Sequence, residues 1–214
     1  MITLGTNTAA DSRGAADWAA REAAELGTTL TVVDSRDASS RPLLLRSLDA
    51  EFVVLDARGG ADLPRELRTH CPVVFIRDAR PEPAKPVVVL GLEPNEDPAP
   101  IEFAFRYAAR LGCEVRAVRA FEPASAFDGG YVDDVEIGRR DALIGMGSLL
   151  RQFSWAFPEV PVSAEAQCAD PVHALSVAGR EAHLIVVGAR RRLGRTVRTL
   201  LARDGAPVAA VPVR

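Results

Sequence analysis

Residues 184–199, LIVVGARRRLGRTVRT, join an apolar run to a glycine and then to three consecutive arginines. The run ending at Gly188 predicts a buried strand, and open α/β sheets bind ligands beyond the carboxyl ends of their strands. Glycines there let backbone amides approach a phosphate, and guanidinium groups can hold one with two parallel hydrogen bonds. Arg191, Arg195 and Arg198 fall at i, i+4 and i+7 and share one helix face, so they serve either as a phosphate clamp or as the solvated side of a helix packed by Leu193, Val197 and Leu200. Cations at a helix N-terminus oppose the macrodipole by roughly 0.3 to 1 kcal/mol each, which favours an anionic neighbour. Arginine is abundant while lysine occurs once, at Lys85, and that bias alone can produce an arginine run.

Other chemistry-bearing residues are scattered. His70, His173 and His183 do not fall at metal-ligand spacing, and Cys71, Cys113 and Cys168 form no C-x-x-C pair, so neither a zinc site nor a disulfide framework is expected and the cysteines read as buried small hydrophobes. His173 follows Asp170-Pro171 at a helix start, where it either faces a ligand or packs. There is no G-x-S-x-G elbow and no P-loop. The GMGSLL stretch at Gly145 lies inside a predicted helix and lacks the third glycine of a dinucleotide fingerprint.

The elements that must position these residues repeat within the chain. Leu4-Gly5 is followed by AADWAAREAAELGTTLTVVD, and Leu90-Gly91 by IEFAFRYAARLGCEVRAVRAF. Each copy reads strand, loop, amphipathic helix, Leu-Gly stop, strand, with Gly27 and Gly112 placed where a helix ends in a left-handed residue. FVVLDARGG at Phe52 parallels LIVVGARRR at Leu184, and CPVVFIR at Cys71 parallels APVAAVP at Ala206. The proline-rich stretch RDARPEPAKP separates the copies. Continuous β-branched runs alternating with helices predict parallel sheets covered on both faces, hence two doubly wound α/β domains. They span residues 1–80, abbreviated in the middle, and residues 86–214, joined by a linker at 81–85.

The second domain is expected to carry a long helix near residues 133–157, with a core stripe of Leu143, Met146, Leu150, Phe153 and Phe157. Ile144 and Trp155 lie off that stripe and suit either a broad buried face or a protein contact. A strand at 160–168 and a helix near 193–203 follow. Residues 121–131 read as a loop over the carboxyl edge, and the last strands of the two halves, 72–77 and 207–213, are apolar edge candidates.

A net charge of -3 gives no global attraction to nucleic acid, and no stretch approaches the ~18 apolar residues that cross a bilayer. The residues after Met1 lack a signal-peptide pattern, so a cytoplasmic location is expected.

In the second half, PVVVLGLEPN, CADPVHALSVAGREAHLIVVGAR and GAPVAAVPV resemble the universal stress protein family. In the first half ITLGTNT, DWAAREAAELGTTLTVVD and CPVVFIR resemble it too. The resemblance implies sheets of the adenine-nucleotide-hydrolase type, pairing through the last strands as a homodimer or as an intrachain pseudo-dimer, and in some members ATP binding. Nucleotide-binding members carry an Asp after the first strand and a G-x-x-G-x9-G-[S/T] loop. This chain has Asn7 and Glu93 at the Asp position. Asp56 replaces the leading glycine of the first half, with Gly59 at the second. In the second half Gly188 leads, Arg191 stands at the second glycine, and only two residues separate it from Gly194, which Arg195 follows.

The expected function is therefore a stress-response protein with degenerate nucleotide sites and no cofactor, non-enzymatic, acting through contacts with an unidentified protein partner. The alternative is an adenine-nucleotide sensor for ATP, AMP or cyclic AMP, using Glu93, Gly188, Arg190, Gly194, Arg195 and Thr196. A slow ATPase is left without an identifiable base or metal ligand.

Overall fold

The computed structural model describes residues 1–6, 13–34, 41–57, 69–77, 83–94, 96–122, 131–190, 193–203 and 205–213. In chain order these form β1 (Ile2–Thr6), α1 (Arg13–Glu25), β2 (Leu30–Asp34), α2 (Arg41–Arg46), β3 (Phe52–Asp56) and β4 (Val73–Ile76). The second half contributes β5 (Val87–Gly91), α3 (Pro98–Leu111), β6 (Glu114–Phe121), α4 (Tyr131–Ala156), β7 (Val162–Cys168), α5 (Pro171–Ala178), β8 (Leu184–Ala189), α6 (Arg195–Ala202) and β9 (Val208–Pro212).

The described strands form one nine-stranded sheet in the order β2-β1-β3-β4-β9-β8-β5-β6-β7. Every pairing is parallel except β4 with β9, where Val73 faces Ala210 and Phe75 faces Val208. The expected pairing of last strands thus occurs within the chain. Side chains alternate between two cores. Val88, Leu90, Leu184 and Val186 join Trp18 of α1, Phe105 of α3 and Met146 of α4 on one face. Val89, Ile185 and Val187 join Leu43 of α2, Leu175 of α5 and Leu200 of α6 on the other. Strands buried on both sides have no polar face to show, which is why they read as unbroken apolar runs.

Gly27 and Gly112 close α1 and α3 at φ 59° and 63°, left-handed values that cost an L-residue with a Cβ and glycine little. Asp97 and Asp170 cap α3 and α5, their carboxylates accepting from the N–H groups of Ala99 and His173.

Two expectations need correction. Leu143 is 37% exposed; the stripe of α4 that packs is Ala142, Met146, Leu150 and Phe153, because the helix turns Leu143 away from β6. Cys168 is exposed at the end of the edge strand β7, whereas Cys71 and Cys113 are buried. Residues 123–130, most of the expected loop after β6, lie outside the described residues, as do Asn7, Gly59 and Arg191.

The two halves differ in cover. Leu30 and Val32 pair with Ile2 and Leu4 of β1, and the corresponding partners of Val88 and Leu90 in the second half are Val115 and Ala117. Val115 and Ala117 are fully buried beside residues of α4, while Val32 is 60% exposed. The first half has β2 as an edge and, among the described residues, no helix like α4.

Candidate functional site

The carboxyl ends of β5 and β8 lie side by side, since Val88 to Leu90 pair with Leu184 to Val186. Beyond β5 the chain runs through Glu93 to the cap of α3. Glu96, just before that cap, turns its side chain back into the crevice. Its Oε2 accepts the Glu93 N–H at 2.9 Å. Its Oε1 lies 2.6 Å from where a Cβ on Gly188 would stand, with Val213 and Pro100 close behind. A side chain at Gly188 would require that carboxylate to shift. Burial pushes the Glu96 carboxyl above its ordinary value, and the charges of Glu93 and Asp97 push the same way, against hydrogen bonds from the backbone of Glu93 and Asp97.

Arg119 lies on the other side of Glu93. Its parity in β6 with Val115 and Ala117 turns it toward α4. There Nη1 donates to the Ala142 carbonyl at 3.3 Å, and Nη2 donates to the Glu93 carbonyl at 2.7 Å. Room for the guanidinium comes from Gly145, where a Cβ would stand 2.7 Å from Nη1; Gly138 similarly clears Phe121. The GMGSLL glycine therefore accommodates an arginine from the sheet. Arg119 is 6% exposed, its Nε has no hydrogen-bond partner, and burial lowers its pKa while the charge of Glu96 acts in the opposite direction.

Glu93 and Gly188 are thus brought together, with Glu96 between them. Arg190 is exposed after β8, Gly194 caps α6 without a side-chain bond, Arg195 is exposed on its first turn, and Thr196 is half-buried. Arg198 is exposed as well, and its N–H donates to the Gly194 carbonyl at 3.1 Å. The expected helix at 193–203 forms as Arg195–Ala202, with Leu193 buried ahead of it.

A second polar cluster crosses the junction of the halves. Glu22 of α1, 1% exposed, meets His183 Nε2 at 2.7 Å and accepts from the Tyr107 hydroxyl of α3. Tyr107 and His183 are themselves 3.1 Å apart, and burial followed by the charge of Glu22 drives the tyrosine pKa upward. Trp18 and Phe52 pack around them. A cavity of about 290 Å³ beside His183 is lined by Glu25, Pro83, Pro86, Arg110 and Leu111. Arg110 ties the halves again, donating to Glu51 and to the Leu26 carbonyl. Sequence reasoning missed both Arg119 and this cluster. The available signals were strand parity for Arg119 and, for Glu22, its place four residues after Trp18 on the buried stripe of α1. Among the described residues, no group of three His, Cys, Asp or Glu side chains is placed to hold a metal, and no helix is long and apolar enough to cross a membrane.

No family model matches the chain. Universal stress proteins of Mycobacterium tuberculosis and Mycobacterium bovis are each 29% identical to it over 168 residues, covering 70% of this chain and 55% of theirs. The chain thus spans about half the length of the curated relatives it matches. Among solved structures, a universal stress protein from Archaeoglobus fulgidus superposes with a TM-score of 0.63 at 12% identity, over 99% of this chain and 96% of that one. A putative universal stress protein from Pseudomonas aeruginosa gives 0.53 at 14% identity, over 98% and 81%. The chain is thus similar in sequence to universal stress proteins and shares the fold of universal stress proteins of known structure.

Proposed function

We propose that this protein acts in the cytoplasm as a stress-response protein that works through protein contacts, without catalysis and without binding ATP in the manner of the family's nucleotide-binding members. The observation that carries this reading is the Glu96 carboxylate seated over Gly188. A triphosphate entering there would meet a half-buried negative charge, flanked by Glu93 and Asp97, in place of converging amides. The short span from Gly188 to Gly194 also leaves few backbone donors. Support for protein contacts comes from α4, where Ile137, Ile144 and Trp155 are 54%, 63% and 79% exposed. Their spacing of seven and eleven residues keeps them within about 20° of one azimuth on a helix of 3.6 residues per turn.

The adenine-nucleotide sensor has one observation in its favour: α6 opens at Gly194 without a side-chain cap, and an uncapped helix N-terminus suits an anion. Heating the protein with millimolar ATP, AMP or cyclic AMP separates the two readings. A ligand at 100 times its dissociation constant adds roughly 2.7 kcal/mol of stability. We expect no shift in melting temperature, and a concentration-dependent rise with any of the three would overturn the protein-contact reading.

A further inference from the structure

We propose that the open edge of β2 is an interface with a second copy of this chain, the two β2 strands pairing antiparallel about a two-fold axis normal to the sheet. β2 is the last strand on its side of the sheet, and the repeat within the chain shows what belongs beside it. The equivalent strand of the second half, β6, has β7 along its outer edge, which sets Val162 next to Val115 and Ala164 next to Ala117, and α4 packs over that same face. Leu30 and Val32, the counterparts of Val115 and Ala117, have no such neighbours among the described residues. Leu30 is half-buried and Val32 is exposed. The first half thus keeps the apolar strand of an interior position while standing at an edge.

The two ends of the sheet are built differently. β7 is guarded by charge, with Glu165 in mid-strand 3.6 Å from Arg116 of β6, a device that discourages further pairing. β2, Leu-Thr-Val-Val-Asp, carries no proline and no charge before its last residue. Its sequence is also complementary to itself. With the axis through Thr31, antiparallel pairing sets Leu30 against Val32 of the second copy, and Val32 against Leu30, on the face that Leu30 shares with the core around Trp18. On the other face Thr29 meets Val33. Moving the axis to Val32 would set Leu30 against Asp34, so the pattern selects the first register. The chain already joins its own halves by antiparallel contact of two apolar strands, β4 and β9, and β2 repeats that chemistry at the free end. Strands of five residues bury little area, so the dimer belongs to the weak, reversible class.

Sedimentation equilibrium of the full chain, from low micromolar concentration upward, should show a reversible monomer–dimer equilibrium that goes no further. Val32→Lys should raise the dissociation constant at least about tenfold, roughly 1.4 kcal/mol, by setting an ammonium group against Leu30 of the second copy. The melting temperature of its monomer should barely move, because the site is exposed. Leu30→Glu should weaken association likewise. Mixing the two variants should restore it, since the mixed dimer has opposite charges across one pair and the apolar contact at the other. Trp155→Lys, on the exposed stripe of α4, should associate as the parent does. A parent that stays monomeric throughout, a dimer that Val32→Lys leaves intact or that Trp155→Lys abolishes, or assembly growing past the dimer, as pairing of β2 with β7 of the next copy would give, would refute the proposal. Should Leu30→Glu fail to fold, the parent and Val32→Lys decide the matter by themselves.

Discussion

Glu96 and Arg119 carry opposite charges at one crevice yet form no ion pair, and their titration makes that arrangement measurable. The folded-state pKa of Glu96 is raised above its ordinary 4.5 by burial and by like charges, so the native chain binds its proton more tightly than the unfolded chain does. Its contribution to stability is fully present below pH 4.5 and is lost as pH rises through the raised value. Glu96→Gln should therefore melt higher than the parent at pH 7, with the difference closing as the pH falls toward 4.5; a constant difference across that window would argue against a strained carboxylate. Glu22 is a buried carboxylate with partners on both oxygens. Glu22→Ala should cost on the order of 3 to 5 kcal/mol in chemical denaturation, as removing one member of a buried charged network does. The cysteines divide by burial. The thiols of Cys71 and Cys113 are pushed up to about 12 and about 11 by desolvation, while Cys168 is exposed. A thiol reagent at pH 8 should modify Cys168 alone in the native chain, and rapid labelling of more than one thiol would contradict the buried placement of the other two.

At the scale of elements, α4 shows which apolar residues pack and which wait for a neighbour. Met146→Ala should cost about 2 to 5 kcal/mol, because that side chain is fully buried under β6 and β7. Ile144→Ser and Trp155→Ser should stay within about 0.5 kcal/mol, as exposed sites do. Comparable losses at all three positions in urea melts would mean that the outer stripe is packed after all. The strands, the long helix and both glycine stops were legible in the sequence because each is written in local apolar periodicity. Leu143 was misplaced because its three-residue step to Met146 rotates it by about 60° from the stripe, given 100° per residue, and an average over alternating steps hides that drift. The crevice was half legible. Gly188 and Glu93 follow from position at strand ends, but Glu96 over Gly188 depends on β5 and β8 lying adjacent, which no local pattern states. Glu22 and His183 meet across 161 residues of chain, and that distance puts their pairing beyond any reading of periodicity.

For the molecule as a whole, the seam is the antiparallel contact of β4 with β9, reinforced by the Glu22, Tyr107 and His183 cluster, by Arg110 and by Arg77, which donates to the Ala202 carbonyl at 2.5 Å. An apolar core that runs unbroken from Trp18 to Phe153 predicts a single cooperative unfolding transition, with equal calorimetric and van't Hoff enthalpies. Two resolved transitions would show that the halves melt independently. The repeat in the sequence announced two similar halves, and the apolar last strands announced where they would join; the missing cover over β2 was visible only as a shortened middle. The antiparallel seam also fixes where each half can be addressed. Parallel blocks joined head against head send the carboxyl ends of β1 and β3 to one rim of the sheet and those of β5 and β8 to the opposite rim. A contact made at the rim around Glu96 therefore lies on the edge of the sheet opposite to the carboxyl ends of β1 and β3, so the two halves are approached from opposite directions.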